Sequence, residues 1–157
     1  MANTNVTIAN SGQTTLGAMN FPPLGCNTKW TIPYTLVATG TGSTDTVTVA
    51  LGNTPAKWVI NSAYAVVTTA FAGTTAFSIT VGTTTTTNAM IASADLIAGG
   101  AKLYPPASGV PVSTNLSGTS ALALVATFTN ATGGSPSAVT AGQVDIYANV
   151  VDLSDLG

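Results

Sequence analysis

The chain has 157 residues, the size of one domain, and only 5% of them are charged, against roughly 25% in an ordinary soluble domain. The whole charged set is Lys29, Lys57, Lys102, Asp45, Asp95, Asp145, Asp152 and Asp155; there is no Arg, Glu or His. Without histidine no Ser-His-Asp or Cys-His pair forms. The single cysteine, Cys26, cannot build a thiolate cage, and a His-ligated zinc site is excluded too. Three lysines facing five aspartates do not suit a phosphate backbone. The expectation is a protein with no catalytic residues, no cofactor, no metal, no nucleic acid and no small-molecule substrate.

The start, Met1-Ala-Asn-Thr-Asn-Val-Thr, has neither a basic nor an apolar leader region, so no export signal is expected. Mean hydropathy is positive, but the richest apolar stretches, Ala121–Ala126 and Tyr64–Val67, are far shorter than the ~18 residues of a membrane span. Disorder is disfavoured because 45% of the residues are hydrophobic and few are charged.

In chain order, residues 1–27 read as an extended N-terminal arm. Val6 and Ile8 suit a short strand, and Gly12, Gly17, Pro22, Pro23 and Gly25 interrupt any longer element. Residues 28–157 read as one β domain. Residues 28–39 alternate, with Trp30, Ile32, Tyr34 and Leu36 on one face, and Pro33 argues for an edge or a bulge. Residues 44–51 are the cleanest strand, Val47, Val49 and Leu51 facing one way and Thr44, Thr46 and Thr48 the other. Residues 57–71 and 75–82 are expected to pair as a β-hairpin, and Thr83–Thr87 to follow as a loop or a flat continuation. Residues 88–96 are the one helical candidate, from the spacing of Met90, Ile91, Ala94 and Ile97 before Gly99 and Gly100. Tyr104-Pro105-Pro106 opens a long loop to about Ser120. Leu122, Leu124, Ala126 and Phe128 form another strand, and residues 143–153 the last, with Val144, Ile146, Ala148 and Val150 inward. Seven or eight short strands and at most one short helix predict an all-β fold, a jelly-roll or Ig-like β-sandwich.

The sharper motifs have plainer readings. Asp152 and Asp155 are two carboxylates where calcium wants six to eight oxygens. Asp45, Asp95 and Asp145 fall on separate elements, and each is expected to cap a helix or face solvent. Three Asn-x-Ser/Thr matches (Asn5, Asn115, Asn130) are expected by chance in so Thr-rich a chain. A carbohydrate-binding face would draw on Trp30, Trp58, Tyr64 and Tyr104, but both tryptophans sit on apolar parities that suit the core. An ice-binding face would need the Thr44/Thr46/Thr48 spacing repeated across several parallel strands.

The anomaly is the surface. A chain without a charged coat must expose uncharged Thr, Ser, Asn, Gly and Ala, which suits a protein buried against neighbours, since interface cores are depleted in charge. Phe21, Pro22, Pro23 and Tyr104 are the candidate partner contacts.

The segments Trp58-Val-Ile-Asn-Ser-Ala-Tyr-Ala-Val-Val-Thr-Thr-Ala-Phe-Ala-Gly, Phe77-Ser-Ile-Thr-Val-Gly, Ile91-Ala-Ser-Ala-Asp-Leu-Ile-Ala-Gly-Gly, Ala126-Thr-Phe-Thr-Asn-Ala-Thr-Gly-Gly and Ala141-Gly-Gln-Val-Asp-Ile-Tyr-Ala-Asn-Val-Val-Asp-Leu carry a further likeness. Across residues 57–153 the chain resembles the virion structural proteins of tailed bacteriophages, in the style of capsid decoration or cement proteins. The resemblance implies a virion protein made in the host cytoplasm. It implies a homotrimer docked on the outer capsid surface, bridging neighbouring major capsid protein subunits, with an N-terminal arm in the lattice contacts. Neck, tail and fibre components share the style. No membrane is involved on this reading.

Overall fold

The structure, a computed structural model, describes residues 4–7, 13–15, 26–39, 45–54, 57–97, 102–104, 112–113, 121–131 and 133–153. Alternating Val/Ile/Leu/Phe and Thr select strands, because β-branched and aromatic side chains pack on a pleated surface with one side wet. The strands are β1 (Thr4–Thr7), β2 (Gln13–Thr15), β3 (Thr28–Pro33), β4 (Thr46–Thr54), β5 (Trp58–Ala72), β6 (Phe77–Thr83), β7 (Ile91–Asp95), β8 (Lys102–Tyr104), β9 (Val112–Ser113), β10 (Leu122–Asn130) and β11 (Ala141–Asp152). One short helix, α1, spans Tyr34–Ala38. The strands form two sheets packed face to face. The first runs β1-β4-β10-β6-β7 and the second β2-β3-β11-β5-β8, with β9 also on β5. Every pairing is antiparallel except β1 with β4. The chain is an all-β sandwich.

The core lies between the sheets. Val47, Val49, Leu51, Phe77, Ile79, Val81, Leu124, Ala126 and Phe128 face inward from the first sheet. Trp30, Ile32, Ile60, Ala63, Ala65, Val67, Val144, Ile146 and Ala148 face them from the second. Phe71 crosses the gap to lie 5.5 Å from Phe77 and 6.1 Å from Phe128, ring centre to ring centre. A bulge in β4 makes a second link. The β4–β10 register passes from Gly52↔Leu124 to Ala50↔Val125 and skips Leu51. The Leu51 carbonyl instead accepts the indole N–H of Trp30, from the opposite sheet, at 2.9 Å, in a buried setting. A further bulge, at Gly142, lies directly over Phe71. Gly142 has φ +135°, and a Cβ there would overlap the phenyl ring.

Four expectations are corrected. Residues 57–71 and 75–82 are not a hairpin: β5 and β6 belong to different sheets, and the turn at Gly73 carries the chain across the sandwich. Alternation reports which face is buried, and both sheets bury the same kind of face. Residues 88–96 are not a helix. β6 advances two residues from Ile79 to Val81 while β7 takes three, from Ala94 back to Ile91. The extra residue leaves Ala92 and Ser93 exposed between buried Ile91 and Ala94, and that three-residue spacing imitates a helix period. Residues 28–39 do not continue as a strand. Pro33 ends β3, and α1 follows with Val37 buried and Tyr34 and Leu36 against the core. The long loop expected after Tyr104 contains β9, and Tyr104 closes β8 on the β5 edge. Within the segment read as an arm, β1 lies on the edge of β4 and β2 on the edge of β3.

Parity also shifts inside β5. Ile60 is buried, then Ala63, Ala65 and Val67, because the register slips between Asn149 and Val150. Tyr64 and Val66 therefore face outward, and Tyr64 does not share a face with Ile60 as simple alternation has it.

Replacing Trp30→Phe keeps the ring and removes the donor, leaving the Leu51 carbonyl buried without its partner. The expected loss is about 1–3 kcal/mol of unfolding free energy, read from urea denaturation. Gly142→Ala adds a methyl where Phe71 packs and forces a side chain onto positive φ, at a cost of at least about 2 kcal/mol in the same assay.

Candidate functional site

The two outer faces of the sandwich differ in chemistry. On the second sheet, β3, β11 and β5 lie side by side. Their registers place Lys29, Tyr147 and Tyr64 in one row and Thr31, Asp145 and Val66 in the next. Lys29 reaches diagonally to Asp145, with Nζ 2.7 Å from Oδ2, and lies 5.4 Å from the Tyr147 ring centre. Gln143 donates its side-chain amide to Oδ1 of Asp145 at 3.4 Å. The Asp145 side chain is 4% exposed and that of Lys29 26%. Asp145 thus neither caps a helix nor faces solvent. It is a buried carboxylate held by a cation and an amide. Asn61 and Asn149 extend the patch through an amide hydrogen bond at 3.3 Å.

Burial acting alone would push the Lys29 ammonium below its ordinary value. The hydrogen bond and charge of Asp145, with smaller help from Tyr147, outweigh that and hold it above 10.5. Because the folded-state value is the raised one, the stabilisation is complete below 10.5 and is lost as pH climbs through the folded value.

On the first sheet the outer face is hydroxylic. Thr46, Thr129 and Ser78 form one row across β4, β10 and β6, and Thr48, Thr127 and Thr80 the next. All six are half-buried, and the Thr48 and Thr127 hydroxyls lie 3.5 Å apart. The rows repeat at about 4.8 Å between strands and about 6.7 Å along them. The Thr83–Thr87 run does not join this face. Thr83 is buried, its hydroxyl accepts the Thr86 amide at 3.0 Å, and Thr84–Thr87 form an exposed turn.

Of the residues singled out from sequence, Phe21, Pro22 and Pro23 lie outside the described residues. Tyr104 pairs with Ala65, on the β5 strand that carries Tyr64. Trp30 is 2% exposed and belongs to the core, which removes it from any sugar-binding face. Cys26 is buried, and burial raises its thiol pKa. Asp45, Asp95 and Asp145 stand on separate elements. The sequence reading missed the Lys29–Asp145 pair. The signal was there in part: both residues occupy the outward parity of their strands, but which strands are neighbours had to be known first. No family model, no curated protein and no solved structure matches this chain.

Lys29→Met leaves Asp145 buried without its cation and is expected to cost about 1–3 kcal/mol, less than a fully buried pair because Lys29 is partly wet. Asp145→Leu added to Lys29→Met should recover much of that loss. Stability followed as pH rises past 10.5 should fall more steeply in the unmodified protein than in Lys29→Met.

Proposed function

We propose that this protein is a non-enzymatic virion component of a tailed bacteriophage. On this reading it decorates and cements the outer capsid surface by bridging neighbouring major capsid subunits, and it works as a homotrimer. The observation that carries the reading is the character of its exterior. One outer sheet face carries rows of threonine and serine across β4, β10 and β6. The other holds its Lys29–Asp145 pair closed on itself, alongside outward tyrosines. Such faces lack the charged coat that keeps a freely diffusing domain apart from its neighbours, and Tyr-bearing, internally neutralised patches suit contacts that exclude water. The resemblance across residues 57–153 supplies the capsid assignment. Within the N-terminal segment, β1 pairs with β4 on one sheet and β2 with β3 on the other.

A second reading draws on a specific observation. The ice-binding idea required threonines repeated across several parallel strands; β4, β10 and β6 pair antiparallel, but five threonines and Ser78 still form two rows across them. Thermal hysteresis of the purified protein, lost in Thr127→Tyr, would support it; a freezing point equal to that of a buffer control would dismiss it.

For the main reading, size-exclusion chromatography with light scattering should give a particle near three times 15.5 kDa. A monomer that persists at high concentration would argue against the trimer. Deleting residues 1–20 removes β1 and β2 and uncovers the edges of β4 and β3. The truncated chain is expected to melt lower and to self-associate, rather than to remain an intact domain merely lacking an arm.

A further inference from the structure

The three central strands of the second sheet bring two tyrosines and a set of amides onto one outer face. Tyr147 on β11 and Tyr64 on β5 are direct cross-strand partners, and the next outward pair along the same strands is Asn149 with Ser62. Side chains directly opposite on an antiparallel pair stand about 5 Å apart, and the next pair on that face follows about 6.7 Å further along. The register passes from Asn149↔Ser62 to Val150↔Ile60 and skips Asn61. That bulge turns Asn61 onto the outer face beside Ser62, while Ile60 and Ala63 stay in the core. Asn61 is exposed and gives one side-chain N–H to Asn149 at 3.3 Å, so its second N–H and its carbonyl oxygen face solvent. On the β3 side, Lys29 sets its Nζ 5.4 Å from the Tyr147 ring centre and 2.7 Å from Asp145.

We propose that this face is a binding platform for an uncharged saccharide with an extended backbone. A sugar ring has an apolar C–H face and a rim of hydroxyls. The C–H face suits the partly exposed Tyr64/Tyr147 pair, whose rings combine apolar area with a polar tip. The hydroxyl rim suits the donor and acceptor of Asn61 and the hydroxyl of Ser62 beside it. Charge selects among ligands. Both oxygens of Asp145 are engaged, Oδ2 by Lys29 and Oδ1 by Gln143, so the pair presents little net charge to a ligand. An anionic ligand would meet a cation already committed to Asp145, in a chain of formal charge −2. A protein partner would need about 800 Å² of this surface around an apolar centre. Here two tyrosines stand among an ion pair, the amides of Asn61, Asn149 and Gln143, and the hydroxyls of Thr31 and Ser62, more hydrogen-bonding groups than apolar area. The strands run side by side in mid-sheet, which makes a platform for an extended chain rather than a cleft for a coiled one. The proposal is independent of the capsid reading, which keeps the threonine rows of the first sheet for docking.

The test is an amide NMR titration of the intact protein with cellotetraose, an extended neutral chain. Maltotetraose, which coils, and a hyaluronan tetrasaccharide, which carries carboxylates, are the counterparts. The expected result is saturable shifts at Asn61, Ser62, Tyr64, Tyr147 and Asn149 with cellotetraose, and binding at least about fivefold weaker with the other two. Tyr64→Ala should weaken cellotetraose binding about tenfold, and Tyr64→Phe, which keeps the ring, by less than about threefold. Asn61→Ala, at an exposed position that the fold tolerates, should weaken it about fivefold. Thr80→Ala, on the opposite sheet, should leave it unchanged. No saturable shift from cellotetraose, hyaluronan binding of equal strength, or undiminished binding in both Tyr64→Ala and Asn61→Ala would overturn the proposal. So would loss of capsid pelleting in Tyr64→Ala when the unmodified protein ignores cellotetraose, since the face would then belong to a protein partner. Cellotetraose binding by a protein that never pellets with capsids would sink the capsid reading and leave the platform standing.

Discussion

Trp30 ties one sheet of this sandwich to the other through a hydrogen bond that depends on a bulge. Where the β4 register skips Leu51, a carbonyl is released from the ladder, and the indole N–H of the opposing sheet takes it. A buried carbonyl without a partner is costly, so the bulge and the tryptophan require each other. That link fixes where β3 sits across from β4. At the other end of the gap Phe71, Phe77 and Phe128 pack together, and Gly142 leaves the room that Phe71 needs. With both ends pinned, the sheets hold their outer faces as fixed platforms.

The platforms follow from the same economy of charge. A chain with three lysines and five aspartates cannot cover itself with ion pairs. Lys29 and Asp145 pair half-sheltered among β-sheet neighbours, where each group satisfies the other. Threonine rows cover the opposite sheet, where a β-branched hydroxyl is at home on a pleated strand. Both solutions leave little net field over the sandwich faces, which suits close approach by another protein.

Much of this architecture was legible in the sequence. Alternation located β4, β6, β10 and β11 and identified the buried side of each, from Val47 through Val150. What alternation could not carry was partnership. It took β5 and β6 for a hairpin because both faces were apolar in the right parity, whereas Gly73 sends β6 to the other sheet. It took β7 for a helix because a bulge spaced Ile91 and Ala94 three apart. The Lys29–Asp145 pair stayed hidden for the same reason: it joins residues far apart in the chain.

The proposed role is to cover neighbouring proteins and to be covered by them. The proposed decoration role is tested most directly by co-sedimentation of the purified protein with empty phage heads assembled from the major capsid protein of the same genome. The account predicts saturable binding at a fixed ratio to capsid subunits, and heads that survive higher temperature when decorated. Heads that pellet without it at every concentration, while the protein itself remains folded, would contradict the account.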